Sequence, residues 1–432
     1  MAPLGIASIS RPTWWQRLAE KLRQGLSSQP ELPRIVENFG WTFIDKLIRL
    51  ILRLIIGVLI ARQLGPGQFG ALSYALALYA IVGAFSTLGI WDVCVREFSL
   101  KPSQKEEIFG TVFVLALIGG VLGVGVIYGI SGILGPAEHD AHLIAIILSF
   151  GLIFGATEAI KRWYEAQTQS KYVVWVENLV FLSLSIVKIA MLILGAPLMV
   201  FVWLILAEGV LIAFGLVGVY RLNTGKLRAW RFNLVRAKSI LKESWPIIFG
   251  IVAVIANVKI DQVMIGEMMG TERLGVYSIA VLMSEAWYFV AYAICASLRP
   301  LLYRIREKSY TRFMSLIQGQ FDLMVLISVP VAIFVTLFGE GLVQLLFGSQ
   351  YSEASSVLLI HIWASIWAFL GTVAWGWYLA EGRQRLVNYQ LFAGLIANVG
   401  LNWVLIPKYG ILGAAYATIA SGMVCRLSLI HI

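Results

Sequence analysis

The sequence predicts an all-α polytopic membrane protein of about twelve transmembrane helices, arranged as two six-helix lobes around a central cavity. Three observations carry this expectation: a succession of apolar stretches near twenty residues long, basic residues gathered at alternate junctions, and a motif that recurs about half a chain later. Hydrophobic residues make up 59% of the 432 and charged residues only 13%, with a mean hydropathy of +0.81. A soluble fold of that composition would need more interior than the chain can enclose, so lipid must cover much of its surface.

The apolar stretches run, in order, over 39–61, 68–90, 108–131, 142–160, 172–194 and 197–219, each long enough or nearly so to cross the hydrocarbon core as a helix. A second set follows at 243–265, 275–297, 321–345, 355–379, 386–406 and 410–429. The fourth stretch is short, the sixth follows its predecessor almost directly, and Lys259 with Asp261 interrupts the seventh. This order divides the chain into a cytoplasmic amino-terminal segment over 1–37, a first lobe over 38–220, a basic connection over 221–242 and a second lobe over 243–432.

Orientation follows from where lysine and arginine fall. Arg11, Arg17, Lys21, Arg23 and Arg34 precede the first stretch, and alternate junctions then carry Arg96, Lys101 and Lys105, Lys161, Arg162 and Lys171, the run from Arg221 to Lys242, the cluster from Arg299 to Arg312, and Arg383 with Arg385. The loops around 132–141, 195–196 and 346–354 contain neither residue. Both termini are therefore expected in the cytoplasm, with the chain multi-pass in the cell membrane. The same distribution accounts for the formal charge of +10 without nucleic acid as a partner. Trp14, Leu18, Leu22 and Leu26 recur at helical spacing beside Arg11, Arg17 and Lys21, which reads as a cytoplasmic tail or as a helix lying in the interface. No removable secretion signal is expected. Cys94, Cys295 and Cys425 lack ligand spacing and read as small apolar residues, and His139 with His142 reads as part of a solvated external loop; no metal site is expected.

The repeat sets Leu64-Gly65-Pro66-Gly67-Gln68-Phe69-Gly70-Ala71-Leu72-Ser73-Tyr74-Ala75 against Met269-Gly270-Thr271-Glu272-Arg273-Leu274-Gly275-Val276-Tyr277-Ser278-Ile279-Ala280. Glycine, serine and alanine keep one register between the first two stretches of each half. An even number of crossings separates the copies, so the lobes should be parallel and related about the membrane normal.

Charges inside the stretches are the candidate functional residues, because ionisable groups are costly against lipid. Asp45, Lys46, Arg49 and Arg53 precede the apolar run from Leu54 to Ile60, and 45, 49 and 53 share one helix face. Asp45 can pair with Arg49, leaving excess positive charge that either lines a hydrated cavity and meets an anion such as phosphate, or snorkels to the interface. Lys259 and Asp261, two apart, cannot face each other on a helix, so pairing across helices is expected, with Asn257 and Glu285 nearby; these groups read as a substrate or conformational network or as structural ion pairs. Glu158, Glu177, Lys188 and Glu208 are further interior charges, whereas Arg62, Arg96, Arg162 and Arg299 read as anchors near span ends. The glycines of Gly119-Gly120, Gly123 and Gly125 suit close helix packing and form no phosphate loop, and no catalytic constellation stands out, so the chain reads as no enzyme.

Ala61-Arg62-Gln63-Leu64-Gly65-Pro66-Gly67-Gln68-Phe69-Gly70, Asp261-Gln262-Val263-Met264-Ile265-Gly266 with Gly275-Val276-Tyr277-Ser278-Ile279-Ala280, and above all Asn398-Val399-Gly400-Leu401-Asn402-Trp403-Val404-Leu405-Ile406-Pro407-Lys408-Tyr409-Gly410-Ile411-Leu412-Gly413-Ala414-Ala415-Tyr416-Ala417-Thr418 resemble the polysaccharide biosynthesis flippase branch of the multidrug/oligosaccharidyl-lipid/polysaccharide exporter superfamily. The resemblance extends over about residues 35–429 and implies alternating access that carries an undecaprenyl-pyrophosphate-linked oligosaccharide from the inner to the outer leaflet, without bond cleavage.

It implies Arg49 and Arg53, with Lys46 and Lys259, as contacts to the pyrophosphate, and Gly65, Pro66, Gly275 and Pro407 as shaping or motion positions. Asp45, Asp261 and Glu285 become the coupling or structural ion network. No cofactor is implied beyond a candidate proton or sodium gradient, and the candidate partners besides the lipid-linked oligosaccharide are a polysaccharide polymerase and assembly machinery. Related peptidoglycan-precursor flippases carry an Arg-Asp feature farther along the first helix; Leu54 to Ile60 contain none, which weighs against that substrate. The alternative reading is a cation-coupled multidrug or metabolite exporter with the same architecture.

Overall fold

A computed structural model of the chain describes residues 32–133 and 139–426, with side chains described from Leu47 onward in the first helix. The predicted amphipathic segment around Trp14 lies outside the described residues. All regular structure among the described residues is helical. Helix α1, Leu32–Ser86, takes in the first two predicted stretches and breaks at Gly65, where φ 74° and ψ 172° place the backbone in a region open to glycine. Pro66 then opens the second arm, a position where its missing N–H is not needed and its fixed φ suits the helix.

Helices α2 (Ile90–Leu100) and α3 (Lys105–Ile133) follow. The stretch expected at 142–160 is broken: α4 (His139–Ser149) passes through short turns at 151–157 into α5 (Glu158–Ala166). Then come α6 (Lys171–Ile193) and α7 (Leu198–Asn223). The basic connection is shorter than 221–242, because Asn233 caps α8 (Leu234–Met269) by accepting the Val235 and Arg236 N–H groups at 2.9 and 3.1 Å.

Gly270, with φ 88° and ψ 170°, repeats the Gly65 conformation and leads into α9 (Thr271–Glu285). Helices α10 (Tyr288–Lys308) and α11 (Tyr310–Phe347) follow, and a third copy of the same backbone state stands at Gly348 (φ 86°, ψ 174°). The chain then forms α12 (Glu353–His361), α13 (Ala364–Ala380), α14 (Gln384–Tyr409) and α15 (Ile411–Arg426). Among the described residues, nine helical stretches are long and apolar enough to cross a membrane, and Ile411–Arg426 is a shorter apolar helix.

Apolar packing is shared at one end of the bundle and divided toward the other. The end carrying Gly65 and Gly270 holds a core built from both halves of the chain, including Leu72, Ile144 and Phe201 with Ile265, Tyr277 and Phe347. Elsewhere Phe98, Phe109, Trp163 and Tyr220 form a core of the first half that takes in only Ala237 and Ile240 of α8, while Phe313, Phe369 and Trp377 belong to a core made wholly from the second half. Trp175 and Leu337 remain more than two-thirds exposed, as lipid-facing positions should.

The start of α8 is held to the first half by charge. Arg236 donates to Glu97 on α2 and Glu107 on α3, both at 2.7 Å, and also bonds Gln104, while Arg96 pairs with Glu243. Arg236 is only 12% exposed, and Arg236→Ala would leave Glu107 without its partner and Glu97 with Lys101 alone. The expected loss is about 3 kcal/mol, read as a lower melting temperature of the detergent-solubilised protein; Arg96→Ala, at an exposed pair, should change it little.

Candidate functional site

The second half gathers its membrane-embedded charges between α8, α9 and α12. Asp261 on α8 is 3% exposed and accepts hydrogen bonds from the Tyr277 hydroxyl on α9 and from the Gln262 N–H at 2.8 Å. Lys259 instead turns to Glu285 at the end of α9, with Nζ 3.8 Å from the carboxylate. The two α8 charges therefore reach different parts of the neighbouring helix, as their spacing of two residues requires. Ser284 and His361 Nδ1 lie 2.7 Å apart and tie α9 to α12, and the His361 ring stands edge-on to Tyr277 with centroids 5.9 Å apart.

This network opens onto a cavity of about 570 Å3 within the second half, lined by Asp261, Glu285 and His361 and also by Arg299 and Arg426. Arg299, expected to anchor the chain near a span end, stands on the cavity wall, since a helix-end arginine can point inward wherever neighbouring helices leave a polar opening. Tyr277, His361 and Arg426 were not singled out from sequence. Tyr277 sat in the repeated motif, and His361 is a lone titratable residue in an apolar stretch, which were the available signals.

The first-half cations form a separate group. Arg49 and Arg53 lie one helical turn apart, and their guanidinium carbons sit 5.6 and 5.5 Å from the centroid of the buried Phe181 ring on α6. Arg53 is solvent-accessible and makes no ion pair among the described residues. Asp45 and Lys46 lie on α1, but their side chains fall outside the described residues. Lys259, engaged by Glu285, does not join the Phe181 platform.

The two repeated motifs pack against each other. A Cβ on Gly70 would stand 1.7 Å from the Thr271 carbonyl oxygen, and a Cβ on Gly275 would stand 1.9 Å from that of Pro66. Gly70 matches Gly275 and Pro66 matches Thr271 in the repeat, so the contact is reciprocal. Tyr74 bonds Glu267 across the same junction, and the third glycine turn closes on it, with the Tyr351 hydroxyl donating to Ala61 O at 2.9 Å and Gln350 donating to Arg62 O at 3.0 Å. His142 is buried here, its ring 5.5 Å from Tyr74, which corrects the expectation of a solvated position for this residue; the His139 side chain lies outside the described residues. Pro407 occupies the last turn of α14, just before Gly410 at φ 61°. Among the described residues, no group of three or more potential metal ligands comes together.

A bundle of long apolar helices with ionisable groups held between them is the framework of a polytopic membrane protein. The chain belongs to the family described as polysaccharide biosynthesis protein, which matches residues 59–356. It is 23% identical over 405 residues to the capsular polysaccharide biosynthesis protein CapF of Staphylococcus aureus, covering 91% of this chain and 98% of that one. It is also 23% identical to the probable flippase AglR of Haloferax volcanii, over 85% of this chain and 76% of the relative. In fold it is similar to the lipid II flippase MurJ in an inward closed conformation, with TM-score 0.70, 14% identity, and 90% and 86% of the two chains covered. An inward-facing multidrug resistance transporter of the MATE family also gives TM-score 0.70 at 14% identity, with 88% and 92% covered. The resemblance read from the motifs is thus borne out at the level of the flippase branch.

Proposed function

We propose that the chain translocates a prenyl-pyrophosphate-linked oligosaccharide from the inner to the outer leaflet during cell-surface polysaccharide biosynthesis, by alternating access between two six-helix lobes. The observation that carries this reading is the family match over residues 59–356, which begins within α1 after Arg49 and Arg53, runs through α11 and takes in Lys259, Asp261 and Glu285. The relatives named for capsular polysaccharide biosynthesis and as a flippase support the substrate class. On this reading the junction end faces outside and both termini face the cytoplasm, in keeping with the distribution of lysine and arginine.

Arg49 and Arg53, with Lys46 beside them, offset the cost of taking a pyrophosphate out of water while the prenyl chain stays in lipid. Asp261 and Glu285, with Lys259 between them in charge, are the coupling candidates for a proton or sodium gradient. Gly65, Pro66, Gly275 and Pro407 shape the moving junctions. A polysaccharide polymerase and its assembly machinery would receive the product.

The test is leaflet reorientation of a fluorescent prenyl-pyrophosphate oligosaccharide in sealed proteoliposomes under an imposed gradient. Wild-type protein is expected to flip it, and Arg49→Ala/Arg53→Ala to slow flipping at least tenfold with normal folding. Equal rates would remove the arginine assignment, and no flipping by wild type under either gradient would remove the substrate. The embedded Asp261 and Glu285 favour a second reading, a cation-coupled exporter of small amphipathic cations; export of such a dye in place of the glycolipid would select it.

A further inference from the structure

The cavity of the second half has two chemically different poles. At one lie Asp261, Glu285 and His361, on α8, α9 and α12; the other is formed by Arg299 on α10 and Arg426 on α15, each about two turns along its helix from the lining residues Tyr292 and Thr418. Seven residues separate Tyr292 from Arg299 and eight separate Thr418 from Arg426, so the cavity extends about 10 Å along these helices at 1.5 Å per residue. The acids have partners: Asp261 is bonded by Tyr277 and Gln262, and Glu285 faces Lys259. Among the described residues, neither Arg299 nor Arg426 makes an ion pair or side-chain hydrogen bond.

Arg426 is also held inside the bundle by its surroundings. A Cβ on Gly371 of α13 would stand 1.9 Å from an Arg426 Nη and 2.3 Å from its Cζ, so the guanidinium lies on the bare backbone of that glycine. An arginine in the last turn of a membrane helix would ordinarily extend to the interface; the missing side chain at 371 is what lets this one turn inward. Gly422 does the same for Trp367, whose ring carbons approach its Cβ position at 3.3 Å. Trp367 and Trp375, with Tyr288 and Tyr292, form aromatic walls beside the two cations.

We propose that this cavity is a binding subsite for an anionic sugar, in which Arg299 and Arg426 hold a phosphate or carboxylate and the aromatic walls take the faces of the adjoining rings. It is separate from the Phe181 platform of Arg49 and Arg53. The chemistry follows from the parts. Guanidinium forks match phosphate and carboxylate oxygens, flat rings with polar tips suit ligands that are apolar on the face and polar at the edge, and the volume falls within the range of sites that enclose small ligands, about 300–1,000 Å3. A saccharide fits both halves of that description, whereas a prenyl chain needs no cations. The subsite rests on the flippase reading for its role and stands or falls separately in its test.

The test is equilibrium binding of soluble probes to the purified full-length protein in nanodiscs: a disaccharide 1-phosphate, a uronate-containing disaccharide, the uncharged disaccharide and inorganic phosphate. The disaccharide 1-phosphate or the uronate is expected to bind at least tenfold more tightly than the uncharged sugar and than inorganic phosphate; which of the two wins identifies the anion. Arg426→Gln and Arg299→Gln should each weaken that binding about tenfold. Gly371→Ala, which keeps every charge but displaces the guanidinium, should weaken it similarly, while Arg96→Gln, at an exposed ion pair away from the cavity, should leave it unchanged.

Equal binding of charged and uncharged sugars, equal binding of sugar phosphate and inorganic phosphate, or wild-type affinity in folded Gly371→Ala and Arg299→Gln would each overturn the proposal. Should Arg426→Gln fail to fold, these last two variants decide it. Flipping of the glycolipid is scored apart: its absence with probe binding intact removes the flippase reading and leaves the subsite, and the reverse pattern removes only the subsite.

Discussion

Gly70→Ala and Gly275→Ala are each expected to lower glycolipid flipping at least tenfold while leaving the chain folded. Judged within its own helix, either change should be mildly stabilising, because alanine is the better helix former by roughly 0.5–1 kcal/mol. Across the junction the balance reverses: the new methyl carbon would meet a backbone carbonyl oxygen at 1.7 Å in one case and 1.9 Å in the other. No rotamer change relieves a clash with backbone, and overpacking of this kind costs about 1–3 kcal/mol or more. On the proposed alternating-access cycle, that is enough to empty the state in which the two motifs touch.

Gly67→Ala is the matched control, since nothing lies within 4 Å of its Cβ position, and it should transport normally. Spin labels at the exposed positions 68 and 272 report the junction directly. Both clashing variants should lengthen the label distance, and an unchanged distance together with full transport would show that this contact is not a gate.

The motif that makes the junction was legible in the sequence, but its packing was not. Two copies of a glycine pattern at an offset of about 205 residues can be aligned on paper. That Gly70 lies on the partner of Pro66, and Gly275 on Pro66 itself, is a property of how the halves meet, and no local rule contains it. The third turn at Gly348 is not legible in the sequence, because only its backbone state repeats while the residues around it differ. Apolar length predicted the helices well, yet could not show the breaks after Ser149 and at Trp363, where apolar composition continues through an interruption of the backbone.

Charges inside apolar runs marked Asp261, Glu285, Arg49 and Arg53 for attention without revealing their partners. Tyr277 and Phe181 look like ordinary packing residues until a neighbouring helix brings the acid or the guanidinium to them. Arg299 shows an ambiguity of a different kind. An arginine near a span end satisfies the snorkelling rule equally well whether it reaches lipid headgroups or a cavity, and only the helices opposite decide.

Asp261→Asn is expected to lower flipping at least tenfold and to make the residual rate indifferent to the imposed gradient. The carboxylate is only 3% exposed where α8 meets α9 at the cavity wall, and a charge there persists only with its hydrogen bonds made. An amide there keeps the shape but cannot exchange a charge, so a cycle that uses this group loses its drive and retains its fold. Tyr277→Phe should behave differently: it removes the hydroxyl that serves the carboxylate and leaves the acid underbonded, at a cost of about 1–3 kcal/mol in stability.

Combining the two changes separates a structural role from a functional one. The double variant no longer contains an unserved charge, so it should recover much of the stability lost in Tyr277→Phe, a positive coupling between neighbours in one network. Transport should not recover, because the titratable group is still gone. If melting and flipping return together, the Asp261 carboxylate serves only to hold α9 on α8; if melting alone returns, the charge itself is needed for the cycle.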